Sequence, residues 1–344
     1  MPCMGIIDWT VELKYSIIIP VYNRPDEMAE MLESLDAQSE RNFEVVVVED
    51  GSSKPCKDEV DRYAGKLEIQ YVTKPNTGRS DTRNVGMQKA KGNYFLFFDS
   101  DCILPPEYMQ TLNRCLRENY VDCFGGPDRA LASFSPVQKA VNFAMTSFLT
   151  TGGIRGSGKV CMEKFNPRSF NMGFSRQVYE KVGGFADMFG EDIDLSIRIR
   201  EAGFSIALFQ EASVYHKRRV NLKKFFRQVY NFGQARIFLF KLHPGSLKLV
   251  HALPACFVLG ELAIILLAVL HSPYWLLLLA LYALMLFFAS LIKNKSLKIA
   301  ALSILTGFVQ LNGYGCGFLK AFWTKVVLGR KLETGEKLKK AYNK

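Results

Sequence analysis

The sequence predicts an α/β fold with a mostly parallel sheet, followed by a C-terminal region of transmembrane helices. In the first half of the chain, continuous apolar runs alternate with helical patterns, as expected for strands that helices cover on both faces. From about Leu249 the chain becomes strongly apolar, with segments long enough to cross a bilayer as helices. The 344 residues are enough for one substantial domain and an appendage.

Four apolar runs are the predicted strands of the sheet. A helical pattern that begins at Asp26 separates the first two, and the helix that carries Arg83 and Asn84 precedes the fourth. Strands that alternate with helices in this way indicate βαβ units. The runs are Tyr15 to Pro20, Phe43 to Val48, Leu67 to Val72 and Phe95 to Phe98.

Polar residues follow three of these strands. Tyr22, Asp50 and Asp99 each lie at a carboxyl end. Ligands of parallel sheets bind beyond the carboxyl ends of the strands. We therefore expect the three side chains to line one binding site.

The fourth strand ends in two acids, Asp99 and Asp101. Because they are two residues apart, both carboxylates point the same way on an extended backbone. Such hard oxygen ligands suit Mg²⁺ or Mn²⁺ carrying a diphosphate. Acids also follow strands as turn or cap residues, so the pair alone is a weak signal. Its position beside the other strand ends favours the metal site.

In their order along the chain, these motifs resemble the family 2 glycosyltransferases, which have the GT-A fold, a Rossmann-like, mostly parallel sheet. The resemblance covers roughly residues 14 to 216. It implies transfer of a sugar from a nucleotide diphosphate donor, with inversion at the anomeric carbon and with a UDP-sugar favoured. The matching motifs are Ile19 to Asn23, Glu49 to Ser53, Asn76 with Gly78, Arg83 to Gly86, Asp99 to Asp101, Asn171 to Phe174, Gly183 to Phe185, and Gly190 to Leu195 with Arg198.

The resemblance also implies roles for single residues on the donor side. Asp50 would accept a hydrogen bond from the base, with Tyr22 as its flat wall, although a turn residue is the alternative for Asp50. Asp99 would face the ribose or the metal, and Asp101 the metal. The further donor-binding positions are Pro20, Gly78, Arg83 and Asn84, and the acceptor-side positions are Asn171 and Gly173.

An inverting transfer also needs a general base for the acceptor hydroxyl. Glu191 and Asp192 begin an amphipathic helix, where acids are common as ordinary first-turn residues. By resemblance, Asp192 is the base. We expect Glu191 to support it and Asp194 to orient the helix. His216 would complete the metal site as in some relatives, although a lone histidine is more often structural.

One motif is rejected as a nucleotide site. Gly153 to Lys159 has the spacing of a phosphate-binding P-loop, but Val160 replaces the required Ser or Thr and no clear strand precedes it. Two alternatives for this segment stay undecided: a Gly-rich lid or acceptor loop, and a plain connector.

Charge and hydropathy predict a membrane anchor. The formal net charge is +11, and between Glu211 and Glu333 the one acid is Glu261. Basic residues interleaved with aromatic residues over 216–248 predict a helix on an anionic bilayer surface. The same pattern is found in nucleic-acid-binding proteins, but the apolar segments that follow argue for membrane and against nucleic acid.

The apolar region contains three segments. Ala252 to Leu270 and Tyr274 to Ile292 are predicted to form a transmembrane hairpin, within which Glu261 would lie. The flanking lysines and arginines predict a multi-pass protein of the inner (cytoplasmic) cell membrane with a cytoplasmic catalytic domain. Leu297 to Trp323 is predicted as a third crossing, but that would place the basic tail outside, so re-entrant and interfacial arrangements stay open. The predicted domains are 1–215 (catalytic), 216–248 (interfacial), 249–323 (two to three transmembrane helices) and 324–344 (basic tail).

The start of the chain and the cysteines point to a cytosolic catalytic part. Residues 1–15 contain Asp8 and Glu12 and no adequate apolar run, so no secretory signal is predicted. The eight cysteines are scattered without a zinc-type spacing, which fits reduced thiols.

Three other functions fit the sequence less well than transfer of one or a few sugars. A processive polysaccharide synthase would carry a Gln-x-x-Arg-Trp motif, which the stretch Arg227 to Arg236 lacks. A non-catalytic membrane scaffold conflicts with the intact acids. A nucleotidyltransferase would need a Gly-rich, Arg-containing loop after the first strand, and this loop is absent from the sequence there. The expected partners are a nucleotide sugar and a lipid-linked or cell-surface glycan, with Mg²⁺ or Mn²⁺ as cofactor.

Overall fold

The computed structural model describes residues 12–129, 134–152, 165–217 and 221–331. The loop at Gly153 to Lys159 lies outside these residues. By its contacts the chain divides into two compact units. The first comprises 1–128, 166–186 and 195–215, and the second 129–165, 187–194 and 216–344. The four-part division made from the sequence stays a prediction.

Ten strands and twelve α-helices follow one another along the described chain. In order they are β1 (Tyr15–Val21), α1 (Pro25–Asp36), β2 (Phe43–Asp50), α2 (Lys57–Asp61), β3 (Ile69–Lys74), α3 (Arg79–Lys89), β4 (Tyr94–Phe98), β5 (Cys102–Ile103), α4 (Tyr108–Glu118), β6 (Cys123–Gly125), β7 (Asp128–Arg129), α5 (Pro136–Thr146), α6 (Phe148–Thr151), β8 (Asn171–Ser175), α7 (Arg176–Val182), α8 (Glu191–Glu201), β9 (Ile206–Leu208), β10 (Val214–His216), α9 (Leu222–Leu242), α10 (Leu249–Leu270), α11 (Leu276–Asn294) and α12 (Leu297–Ala321).

A seven-stranded, mostly parallel sheet forms the centre of the first unit. Its strand order is β3-β2-β1-β4-β8-β6-β9. Neighbours β1, β2, β3 and β4 run parallel, whereas β8 is antiparallel to both β4 and β6. The predicted α/β fold with a mostly parallel sheet is confirmed. A second sheet contains three short strands in the order β5-β10-β7.

The inner strands β1 and β2 contain continuous apolar runs, Ile17 to Ile19 and Val45 to Val48, because helices cover both faces of the sheet. Ile17 and Val45 belong to a core cluster with Met28 of α1. Ile18 and its register partner Val46 belong to the opposite cluster, with Met87 of α3. Side chains alternate between the two faces along a strand. Each strand therefore needs a continuous apolar run to fill both clusters, which is the pattern that the sequence shows.

Helices make up most of the described second unit. A short 3₁₀ turn at Pro273–Trp275 joins α10 to α11 as a hairpin, and a π-helical turn at Phe322–Val327 follows α12. Three helical segments, Leu249–Leu270, Pro273–Asn294 and Leu297–Val327, are long and apolar enough to cross a membrane. The leucines of α10 and α11 are largely exposed, which suits contact with hydrocarbon.

The basic, aromatic helix α9 packs on α5 and α12. Asn221 caps it by accepting a hydrogen bond from the backbone N–H of Lys223 (2.8 Å). Its buried residues Phe225 and Val229 form a cluster with Val141 of α5, and Val309 of α12 packs against this cluster. One face of α9 is thus committed to protein contacts, while Lys223 and Lys224 are exposed.

Candidate functional site

The predicted donor-side residues lie at one edge of the large sheet. Tyr22 directly follows β1, Asp50 ends β2, and Asp99 directly follows β4. Because β1 lies between β2 and β4, these three residues follow neighbouring strands. The nucleotide and metal roles assigned to them stay predictions, but their common edge is the one expected from the sequence.

Asp50 organises the loop between β3 and α3. Its carboxylate accepts hydrogen bonds from Lys74 Nζ (2.6 Å) and from the backbone N–H groups of Thr77 (2.9 Å) and Gly78 (3.0 Å). The side chain is only 7% exposed, so these bonds offset its desolvation. Gly78 has φ +97°, a conformation that favours glycine. Sequence reasoning missed Lys74, which pairs with an acid 24 residues away.

Asn23 connects the loop that carries Tyr22 to the loop after Asp50. It adopts a left-handed conformation (φ +55°), which asparagine tolerates better than most residues. Its Oδ1 accepts hydrogen bonds from the Ser53 hydroxyl (3.0 Å) and the Lys54 backbone N–H (2.9 Å). Tyr22 is 39% exposed at the sheet edge, where a planar base could stack on its ring. Pro20 lies within β1, opposite Val48.

Asp99 is paired with Arg83, which lies on α3. The Arg83 side chain is 1% exposed, and its Nη2 donates to Asp99 Oδ1 at 2.6 Å. The guanidinium carbon also lies 5.4 Å from the centre of the Phe185 ring, a cation–π distance. A buried cation needs a partner of opposite charge. Asp99 supplies one and stays 34% exposed, so it is accessible to a ligand.

Asp101 is paired with Arg24, a residue that sequence reasoning missed. Arg24 Nη1 donates to Asp101 Oδ2 at 2.8 Å and lies 3.2 Å from Glu27. Burial alone would lower the pKa of the Arg24 guanidinium, but the carboxylates of Asp101 and Glu27, with a smaller effect of Asp99, raise it above its ordinary value. Arg24 is therefore a fixed positive charge at the end of β4.

The acids after β4 fit a divalent cation. Asp99 and Asp101 offer hard oxygen donors two residues apart, and the sheet edge leaves Asp99 accessible. Mg²⁺ and Mn²⁺ use few protein carboxylates and complete their shells with water and phosphate oxygens. His216 ends β10, which neighbours β5, the strand that begins one residue after Asp101. Its role as a metal ligand stays a prediction.

Asn84 holds the Gly183 to Phe185 turn in place. Its Nδ2 donates to the Phe185 carbonyl (2.9 Å), and its Oδ1 accepts from the Phe185 backbone N–H (2.8 Å). A Cβ at Gly184 would overlap Asn84 Oδ1. Asn84 therefore acts on the donor side through the position of Phe185, whose ring faces Arg83.

Asn171 and Gly173, predicted on the acceptor side, lie in the buried strand β8. Asn171 Oδ1 accepts from the Tyr108 hydroxyl (2.6 Å), and its Nδ2 donates to the Ala212 carbonyl (2.8 Å). A Cβ at Gly173 would come 2.8 Å from Leu96 Cδ2, so the site tolerates no larger residue without a shift. Packing and hydrogen bonding thus explain why asparagine occurs at position 171 and glycine at position 173. An acceptor role stays a prediction.

The acids predicted for acceptor activation begin α8. Glu191 is buried and Asp192 half-buried, and the Asp192 side chain accepts a hydrogen bond from the Ile193 backbone N–H (2.8 Å). Gly190 precedes them with φ +85°. Its carbonyl accepts hydrogen bonds from the Ile193 and Asp194 N–H groups, both at 3.0 Å, which close the first turn.

Helix α9 supports this turn through a contact that the sequence did not predict. His243, directly after α9, places Nε2 2.7 Å from Asp194 Oδ1, and the Asp194 side chain is 6% exposed. A Cβ at Gly190 would lie 3.2 Å from Leu239 and 3.4 Å from Ala235, both on α9. No local pattern links Asp194 to a histidine 49 residues later.

Comparison with known proteins shows that this chain is similar to glycosyltransferases. The profile "Glycosyl transferase family 2" matches residues 16–183. The glycosyltransferase GlyA of Streptococcus pneumoniae is 36% identical over 114 residues, which is 33% of this chain and 16% of that protein. The poly(ribitol-phosphate) beta-N-acetylglucosaminyltransferase TarS of Staphylococcus aureus is 32% identical over 114 residues, 32% of this chain and 20% of the relative. The chain thus matches a fifth or less of the length of either relative.

A solved structure has the same fold. The mannosyltransferase PcManGT of Pyrobaculum calidifontis, in complex with GDP-Man and Mn²⁺, superposes with a TM-score of 0.57 at 18% identity, over 92% of this chain and 89% of that one. The family profile covers the donor-side edge, from β1 through the two acids after β4 to β8. Residues 16–183 are therefore a family 2 glycosyltransferase domain.

Proposed function

We propose that the protein is a membrane-anchored, metal-dependent, inverting glycosyltransferase. It transfers a sugar from a nucleotide diphosphate sugar to a hydroxyl group of a lipid-linked or cell-surface glycan. The observation that carries this proposal is the placement of Asp50 at the end of β2 and of Asp99 and Asp101 after β4, the two strands that flank β1, at one edge of the sheet. That is where α/β proteins bind nucleotides and their metal ions.

The donor binds along this edge. Tyr22 supplies an apolar wall for the base, and Asp50 accepts a hydrogen bond from an imide N–H. Uracil and guanine both offer such a donor, and the structurally similar mannosyltransferase was solved with GDP-Man. We favour a UDP-sugar as the donor, and both nucleotides are to be tested.

Departure of the nucleotide diphosphate needs positive charge. Asp99 and Asp101 would hold Mg²⁺ or Mn²⁺, which supplies Lewis-acid stabilisation of the leaving group. Arg24 and Arg83 hold the two carboxylates in place and add two fixed positive charges at this edge. The two carboxylates are thereby oriented before the donor arrives.

Acceptor activation is the role of the first turn of α8. Asp192 takes the proton from the acceptor hydroxyl, so that the oxygen attacks the anomeric carbon from the face opposite the leaving group. Glu191 supports Asp192. Inversion follows because the reaction is a single displacement, with no covalent sugar–enzyme intermediate.

The membrane anchor suggests the acceptor class. Helices α10 and α11 form an apolar hairpin. Helix α9, which precedes α10 in the sequence, carries exposed lysines. A saccharide on a polyprenyl diphosphate or another lipid would be held at such a surface. The excess of lysine and arginine next to the apolar segments supports a cytoplasmic catalytic domain at the inner membrane.

A donor screen tests the proposal directly. Detergent-purified protein is incubated with UDP- and GDP-sugars and membrane lipid extract, and nucleotide release is measured with Mn²⁺, Mg²⁺ or chelator. We expect release from one donor, dependent on metal, and poor turnover of a chain-shortened, water-soluble acceptor. Absence of binding and turnover for every donor would contradict the proposal, and equal rates with soluble and lipid acceptors would refute the lipid-linked acceptor.

His243 is expected to act as a positioning residue. His243→Ala removes the bond to the buried Asp194, and a lost hydrogen bond to a charged group costs roughly 1.5–3 kcal/mol. We expect kcat for transfer to fall about tenfold, equivalent to ~1.4 kcal/mol, with the donor KM unchanged. His243→Gln, whose amide N–H can still donate, should restore most of the rate.

The measurement for His243 is a full kinetic analysis beside thermal unfolding. A fall in kcat that is measured well below the Tm of His243→Ala, where the variant is folded, and that His243→Gln rescues identifies positioning. If His243→Ala lowers Tm and activity together and His243→Gln rescues neither, the histidine is structural only.

A further inference from the structure

We propose that α12 does not cross the bilayer. It lies with α9 across the open end of the α10–α11 hairpin, defined as the end where α10 begins at Leu249 and α11 ends at Asn294. The anchor is then a two-span hairpin, and the C-terminal tail lies on the same side of the membrane as the start of α9. This inference does not depend on the proposed reaction.

The N-terminal half of α12 meets α11 near the open end. Ser303 and Ser290 share a hydrogen bond between their hydroxyls at 2.7 Å. One turn later, a Cβ at Gly307 would lie 2.7 Å from Leu286. At about 1.5 Å per residue, these α11 positions lie ~6 and ~12 Å from the end of the helix.

The C-terminal half of α12 meets α10 near the open end as well. At the middle of α12, the Phe308 ring lies 5.8 Å from the ring of Phe257 on α10 and 5.8 Å from the ring of Tyr282 on α11. Gly315 then packs on Pro254, and a Cβ there would lie 2.6 Å from Val258. Pro254 is only about 7.5 Å from the start of α10 at 1.5 Å per residue.

These contacts describe a helix that runs across the hairpin. Between Ser303 and Gly315 an α-helix advances roughly 18 Å. If α12 ran along the hairpin as a third span, Gly315 would lie near ~24 Å from the open end, beside the turn at Pro273–Trp275. Instead its contacts begin and end near the open end of the hairpin.

Helix α9 runs beside the second half of α12. A Cβ at Gly313 would lie 2.5 Å from Val229, a Cβ at Gly317 would overlap the Tyr230 carbonyl, and Lys241 Nζ donates to the Lys325 carbonyl at 2.8 Å. The two helices therefore run side by side in the same direction. Small residues permit this close approach.

The charges of α9 keep this pair out of the hydrocarbon. Lys223, Lys224 and Arg227 are exposed on α9. Each such charge at the bilayer centre costs at least about 2.5 kcal/mol. A helix packed along α9 is held at the depth of α9, and exposed Trp323 after α12 suits the interface.

The surroundings of α12 also differ from those of a lipid-facing span. From Thr306 to Leu319 every residue is buried or half-buried. Half of the most apolar window of this segment is buried, against 11% in each of the two other candidate spans. The small and polar residues of this stretch are covered by protein, whereas most of the leucines of α10 and α11 are exposed.

This arrangement agrees with the distribution of charge. A third crossing would carry the lysine-rich tail, from Lys320 to Lys344, to the outside. With α12 at the open end of the hairpin, Lys293, Lys295 and this tail all remain on one side. Basic segments next to spans stay cytoplasmic, so the contacts and the charge rule give the same topology.

Topology mapping of the full chain tests the proposal. Epitopes are placed at the N-terminus, at the C-terminus, or between His271 and Pro273, and protease access is measured in sealed membrane vesicles of both orientations. We expect both termini to be accessible from one side and the hairpin turn from the other. A C-terminal epitope on the side of the turn would show a third crossing, and a turn on the side of the N-terminus would exclude the two-span hairpin. Either result overturns the proposal.

A second variant tests the position of the turn without an inserted epitope that could disturb the fold. Ser272→Cys is labelled with a membrane-impermeant maleimide, and wild-type labelling is subtracted to correct for the native cysteines. We expect labelling from the side opposite the termini. Labelling from the side of the termini would contradict the proposal in an unperturbed chain, whatever its activity.

Discussion

Asp192→Asn is expected to lower the rate of sugar transfer by at least ~100-fold, the low end of general-base contributions, while nucleotide-sugar binding stays close to wild type. The amide has nearly the same shape and still accepts from the Ile193 backbone N–H through its carbonyl oxygen, so the first turn of α8 is retained. What the variant loses is the ability to take a proton. The effect should therefore appear in kcat, with little change in donor affinity.

The measurement combines steady-state transfer with donor binding by calorimetry. Asp187→Asn is the matched control, because Asp187 is an exposed acid in the same segment, 187–194. We expect that control to keep wild-type activity. Turnover of Asp192→Asn within a few-fold of wild type would remove Asp192 from the role of base, and Glu191→Gln would then be tested in its place.

The sequence predicted the sheet well because its signal is local. The predicted strand Tyr15 to Pro20 is observed as Tyr15–Val21, and Phe43 to Val48 as Phe43–Asp50. Burial on both faces requires an unbroken apolar run, which a single sequence displays. The position of β8, antiparallel between β4 and β6, was not predictable, because its partners come from distant parts of the chain.

In the site, too, local features were predicted from the sequence and long-range contacts were not. The acids at the strand ends were found from the sequence, whereas Arg24, Lys74 and His243 were not. Each of the three bonds an acid 24 to 77 residues away, and such pairing leaves no periodicity to read. The third apolar segment is a related case, since length and hydropathy describe a span but do not reveal that α9 and the hairpin surround it.

Asp101→Asn is the second large effect that we expect: a loss of metal-activated turnover of at least ~100-fold, equivalent to ~2.7 kcal/mol. The substitution halves the carboxylate charge after β4 and replaces an anionic oxygen ligand with a neutral one. It also removes the charge that faces Arg24, whose side chain lies 2.8 Å from Asp101. Leaving a partly buried cation without its partner costs stability, so the loss of activity has two contributions that need separation.

Three measurements separate these contributions. Mn²⁺ binding by electron paramagnetic resonance reports the ligand role, Tm reports the ion pair, and Arg24→Met combined with Asp101→Asn removes the unpaired cation. Asp58→Asn, an exposed acid in the first turn of α2, is the matched control. If Asp101 is a metal ligand, the double variant recovers stability but neither Mn²⁺ affinity nor turnover. Recovery of turnover with stability would instead show that Asp101 serves the fold through Arg24, and the cation would then have to be held without it.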